Sequence, residues 1–203
     1  MSKNKVIFYI IICCNLVNSI FASCQVQPAN NRCLSNYLRA EKCADNFSVS
    51  NDTFSLDTAL YLLNKCSNCD SIKSHVVNLK ITVLMTLKRY QEGAKYVDSL
   101  KKTDFDYNYQ KEIVYKNFLA LEYNLNKDTI NRNLVYSQMA GYLEDTIQKL
   151  KDFTSREFEQ IFIDLFVVKN NYLDSIKINR EIDSLKKIYP QKEHFFDYLK
   201  GSH

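Results

Sequence analysis

Apolar side chains recur along most of this chain at alternating steps of three and four. Leu34, Tyr37 and Leu38 begin such a pattern, which reaches about Ala44. The polar stretch 45–55 reads as a loop, with Ser55 or Asp57 placed to cap a helix that carries Leu56, Ala59, Leu60 and Leu63 on one side. Further runs of helical period occupy 72–88, 90–102, 107–125, 129–151, 155–169 and 172–189. Pro190 stops the last of them, and the short apolar segment HFFDYL closes the chain. The joints at 104–106, 126–128, 152–154 and 170–171 are short and rich in Asp, Asn and Thr, side chains that accept backbone N–H groups at a helix start. Joints of this length make neighbouring helices antiparallel. Three glycines and two prolines in 203 residues are too few for the turns of an all-β fold. The expected fold is therefore all-α, antiparallel helix pairs forming an α-solenoid or an irregular bundle.

The first residues follow a different rule. Lys3 and Lys5 precede the apolar run VIFYIIICCNLVNSIF, and small residues follow at Ala22 and Ser23, the layout of a cleaved export signal. A retained membrane-spanning helix is weakened by Asn15, Asn18 and Ser19 and by the absence of a basic cluster after the run. The residues FASC at 21–24 resemble the lipobox of bacterial lipoproteins, with Phe21 where that family usually has Leu. The resemblance implies that Cys24 is acylated and becomes the mature N-terminus, whereas ordinary cleavage would fall after Ala22. Lipidation would leave Cys33, Cys43, Cys66 and Cys69, an even set suited to disulfides in an oxidising compartment. The expected organisation is a signal at 1–23, a polar tether at 24–31 and a helical domain at 32–203.

Four cysteines allow three connectivities. On one helix, Cys33 and Cys43 would stand ~15 Å apart, beyond the ~7 Å that a disulfide bridges, and each would pair instead with Cys66 or Cys69. An irregular N-terminal region would permit Cys33 with Cys43 and Cys66 with Cys69.

A register also repeats. Leu56, Ala59, Leu63 and Cys66 share their spacing with Tyr90, Gly93, Val97 and Leu100, 34 residues later, and a looser copy lies at Tyr172, Ser175, Asn179 and Ile182. With LKRYQEGAKYVDSLKK at 87–102, this resembles the tetratricopeptide repeat over residues 56–123, with Gly93 at the small position where paired helices approach. The resemblance implies stacked helix pairs and a protein-binding role.

Composition narrows the chemistry. Loss of the signal leaves 25 basic against 23 acidic residues, with no cationic block of the kind that nucleic acid requires. The pair in CSNC (66–69) follows a helical run instead of opening one, unlike a thioredoxin-type redox site, and a four-cysteine zinc site would need a second knuckle. His75, His194 and His203 have no metal partner at helical spacing, and there is no phosphate-binding glycine loop. No cofactor, metal or catalytic residue is expected. Fourteen tyrosines without a tryptophan point to contact surfaces, and the segment with Asp106, Tyr107, Asn108, Tyr109, Lys111, Tyr115 and Tyr123 supplies the candidate partner-binding residues. The expectation is a non-enzymatic, lipid-anchored protein-binding module of the periplasm or outer membrane. A toxin-neutralising immunity protein suits that description, as does an assembly scaffold. The alternative is a cell-envelope enzyme acting on wall polymer through a carboxylate pair, Glu157 with Glu159 or Glu144 with Asp145.

Overall fold

The computed structural model describes residues 28–66 and 69–201, with side chains from residue 32 onward; the signal, Cys24 and the first part of the tether lie outside them. The described residues form nine α-helices and three short 3-10 turns, with no strand. They divide into two compact units, the first ending at Gly93 and taking in 103–106, the second comprising 94–102 and everything from Tyr107 on.

The first unit is built on α1 (Pro28–Ser50), α2 (Thr53–Asn64) and α3 (Lys73–Thr86). Proline at the start of α1 lacks only an N–H that no helical carbonyl would have taken, and the last four residues of the expected tether are already helical. At its other end α1 runs through Asp45–Ser50, where the sequence suggested a loop. Asp45, Asn46 and Ser48 are polar because they face solvent, and nothing among them breaks a helix. The reversal takes two residues. Asn51 adopts the left-handed conformation (φ 55°), which asparagine tolerates, and Asp52 accepts the Phe54 N–H at 3.0 Å as the N-cap of α2. Ser55 and Asp57, the expected caps, lie inside the helix because Asp52 captures the free N–H groups first.

α1 packs along α2, and both meet α3. The buried faces are Ala40 of α1, Leu56, Ala59, Leu60 and Leu63 of α2, and Val76, Val77, Ile81, Val83 and Leu84 of α3. Cys33 is bonded to Cys69, with Cα atoms 5.9 Å apart, so α1 is tied covalently to the segment that leads through a 3-10 turn (Asp70–Ile72) into α3. Asp104 is buried against α3, where it takes the Lys73 ammonium at 2.7 Å.

The repeated register lies on inward faces. Leu56, Ala59, Leu63 and Cys66 are buried, as are Gly93 and Val97 of α4 (Tyr90–Ser99), while Tyr90 and Leu100 are half-buried. The looser copy does not form such a stripe: Tyr172 precedes its helix, Ser175 is exposed, and Ile178 and Ile182 are the buried residues.

The second unit holds α5 (Gln110–Leu125), α6 (Thr129–Lys149), α7 (Arg156–Lys169), α8 (Ser175–Ile188) and α9 (Glu193–Gly201). The caps are sequence-encoded. Asp128, Ser155 and Asp174 accept the N–H groups of Asn131, Phe158 and Lys177 and so start α6, α7 and α8. Pro190 ends α8 and opens a 3-10 turn (Pro190–Lys192) into α9. α6 packs on both α5 and α7, and α9 folds back over α8 and α7. Phe158, Phe162 and Phe166 recur every fourth residue on α7 and are almost wholly enclosed. The Phe162 ring lies 4.8 Å from Phe158 and 5.3 Å from Phe196 of α9, both edge to face, and Tyr189 stands 5.2 Å from Phe158.

Truncating a fully enclosed phenylalanine loses its transfer free energy and leaves a void. Phe162→Ala is expected to destabilise the second unit by about 3–5 kcal/mol, read as a lower midpoint in urea denaturation followed by circular dichroism. Separately, reduction of Cys33–Cys69, which closes a 36-residue separation, should cost about 4 kcal/mol in the chain-entropy account and lower the thermal midpoint of the first unit.

Candidate functional site

The tyrosine-rich segment at the start of α5 is largely spent on structure. Tyr109 is buried and donates its hydroxyl proton to Asp164 Oδ2 of α7 at 2.8 Å, and the Tyr107 ring stacks on it with centroids 5.9 Å apart. The Tyr107 N–H donates to Gln110 Oε1 at 3.1 Å, which closes the turn into α5. Lys111 donates to the backbone carbonyls of Asp98, at 2.9 Å, and of Leu100, and so straps the end of α4. Tyr123 packs against the core of the unit, Tyr115 is half-buried, and Asp106 and Asn108 are exposed. The structure thus brings Tyr107 and Tyr109 together, leaves Asp106 and Asn108 in the turn before α5 and disperses Lys111, Tyr115 and Tyr123 along it.

Asp164 stands in IFIDLF, an acidic residue between two pairs of large apolar side chains, and that interruption is the signal that composition missed. Its other oxygen accepts from Gln160 Nε2 at 2.9 Å. Burial raises the carboxyl to about 6, against the opposing pull of the hydrogen bonds from Tyr109 and Gln160. Burial together with the adjacent carboxylate raises the Tyr109 phenol far out of the physiological range, so it remains a donor. The result is a carboxyl held between two donors across α5 and α7, a fixed polar link in an apolar interface.

Lys169 closes the run FVVK in the same manner. Its side chain is 6% exposed, and its ammonium meets Glu144 Oε1 of α6 at 2.6 Å and also Glu181 of α8. Burial pulls this ammonium down, but the two carboxylates outweigh burial and leave it raised. Beside this bridge α6, α7 and α8 leave a shallow cleft of about 150 Å³, with Ile147, Phe162, Leu165 and Leu185 below and Glu144 and Glu181 at its edge.

The carboxylate pairs raised by the sequence do not act together. Glu144 is committed to Lys169 and its neighbour Asp145 is exposed; Glu159 is committed to Lys192, whereas Glu157 contributes to the field at Tyr109. His75 stands 6.2 Å from the Tyr37 ring, His194 is exposed, and His203 lies outside the described residues. Among the described residues no three His, Cys, Asp or Glu side chains are grouped to hold a metal ion. Cys69 is in the bridge, while Cys66 and Cys43 are free thiols. Cys66 is buried at the end of α2, where it donates to the Leu62 carbonyl at 3.4 Å, and burial raises its thiol. No protein-family model matches the chain, and comparison with curated proteins and with solved structures finds no significant match.

Two consequences are measurable. Because Asp164 titrates higher in the fold than its ordinary 3.8, the fold favours the protonated carboxyl. Its contribution is complete below about pH 4 and is lost as pH rises through about 6, on the order of 3 kcal/mol in all. Asp164→Asn should remove that slope, so that the stabilities of variant and wild type converge in acid and separate in the variant's favour towards pH 7; parallel curves in denaturant titrations would contradict the assignment. For Lys169, the buried partner is the cation and both carboxylates are partly solvated. Glu144→Gln with Glu181→Gln strands an uncompensated charge and should cost about 3–5 kcal/mol, more than Lys169→Met, as measured by thermal melting.

Proposed function

We propose that this chain is an exported helical protein-binding module, held at the membrane by a lipid on Cys24, and that its binding task is the neutralisation of a toxin. The observation that carries the binding reading is the distribution of large apolar side chains. Ile130 and Leu134 are 83% and 54% exposed on successive turns of α6, and Leu125 is 52% exposed just before them at the end of α5. Side chains of this size recurring on one exposed helix face are what a protein partner covers. Several of the carboxylates are by contrast engaged: Glu159 with Lys192, Glu144 and Glu181 with Lys169, Asp164 with Tyr109 and Gln160. The recognition surface is therefore assigned to Ile130 and Leu134, with the exposed Leu125 beside them.

Support for export comes from the Cys33–Cys69 bridge, since such bonds persist in oxidising compartments. The lipobox-like FASC supports an anchor at Cys24 and, with it, a location in the periplasm or at the outer membrane. Among the described residues no helix is long and apolar enough to cross a membrane.

The test combines a genetic and a physical readout. Co-expression should rescue cells from the product of the neighbouring reading frame, and the two proteins should co-purify. Ile130→Asp with Leu134→Asp should weaken that complex by about 100-fold, roughly the effect of losing a small hot spot, with little change in the melting temperature. Full rescue by the double variant, or the absence of a toxic neighbour and of any co-purifying protein, overturns the reading.

A further inference from the structure

We propose that the outward face of α1 lies on an anionic phospholipid surface. The inference rests on the lipid-anchor reading and adds an orientation and a ligand chemistry to it. At 100° per residue, Leu34, Leu38, Val49, Lys42 and Arg39 fall within an arc of about 140° on α1, and all five are exposed, the apolar three at 38%, 50% and 88%. Arg32 and Glu41 lie just beyond the two edges of this arc, Arg32 beside Arg39 and Glu41 beside Leu34, and Asp45 is the acidic residue within it. Arg39 and Lys42 form no ion pair among the described residues. The opposite side of α1 is the one that packs: Ala40 is buried, Cys33 is in the bridge, and Tyr37 donates to Glu41 Oε1 at 3.2 Å beside His75. The free face is thus aliphatic with a basic flank and no aromatic anchor. That composition matches helices that rest at a headgroup boundary, in which leucines enter the acyl edge and Lys and Arg meet lipid phosphates.

Chain length adds an independent constraint. Three residues separate Cys24 from Pro28, and the four steps between them limit the start of α1 to about 14 Å from an acylated Cys24. A tether this short keeps the N-terminal end of α1 near the surface, and the tilt of the helix and its rotation about its axis remain to be set. The Cys33–Cys69 bond sets that rotation with respect to α2 and α3, because it fixes which side of α1 is turned inward.

Amine labelling of the full chain tests the proposal. Protein purified from its host is first weighed intact, which records whether Cys24 carries acyl chains. It is then reconstituted into vesicles of phosphatidylglycerol with phosphatidylethanolamine, into phosphatidylcholine vesicles and into neutral detergent micelles, and labelled with an amine-acetylating reagent. In the anionic vesicles Lys42 should react about 5-fold more slowly than in micelles, while the exposed Lys88 and Lys127 keep their rates. Leu34→Gln, Leu38→Gln and Arg39→Gln together should abolish the protection. Equal Lys42 rates in all three settings overturn the proposal, as does equal protection by phosphatidylcholine. Protection in micelles that grows with protein concentration also overturns it, because it identifies a second copy as the occupant. If no acyl mass is present, the anchor reading fails by itself, and the face is judged by co-sedimentation with anionic vesicles. Binding that is stronger for the wild type than for the triple variant, and weaker in about 0.5 M salt, supports the face; equal sedimentation overturns it.

Discussion

The bond between Cys33 and Cys69 is the constraint on which the first unit depends. α1 is the longest described helix, and much of its surface is polar or exposed, with Ala40 alone fully enclosed among its described side chains. Apolar burial of that extent holds a helix weakly, whereas a covalent closure removes much of the freedom of the unfolded chain. The bond therefore decides both that α1 stays docked and which side it presents. It also bears on the proposed export, because bonds of this kind persist in compartments that keep them oxidised. The neighbouring Cys66 has the opposite character: buried, raised by its surroundings and bonded to the Leu62 carbonyl, it is packed like a small apolar residue.

In the second unit the organising element is α7. Its phenylalanines supply the core, and the two polar residues that interrupt its apolar run, Asp164 and Lys169, each meet side chains of neighbouring helices. Apolar packing tolerates sliding and rotation, whereas a half-buried carboxyl between two donors and a buried ammonium between two carboxylates accept one register only. The polar links are best read as devices that fix helix register, at some cost in stability for Asp164 near neutral pH.

Much of the fold was legible because its signals are local. The spacing of three and four, Asp128 and Ser155 as caps and Pro190 as a stop are each decided within a few residues. The readings that failed needed information from outside their own segment. Residues 45–50 look like a loop in sequence because one side of α1 faces solvent, and only packing against α2 explains why the helix continues to Ser50. Tyr109 reads as an interface residue by type, yet its partner Asp164 is 55 positions away, and no local rule selects that pairing. Cysteine counting gave an even set, but the choice of Cys69 over Cys66 follows from the path of the chain after α2. The exposed Ile130 and Leu134 were hidden for the converse reason: in a periodic helix, apolar residues on the outside look the same as those within.

The most direct test of the account is a non-reducing peptide map of the protein isolated from its own host, with free thiols alkylated before digestion. The account predicts a peptide pair joined through Cys33 and Cys69, with alkyl groups on Cys43 and, after unfolding, on Cys66. Alkylation of all four thiols, or a bridge between Cys66 and Cys69, would contradict it, because α1 would then have no fixed face; the first result would also remove the support for an oxidising compartment.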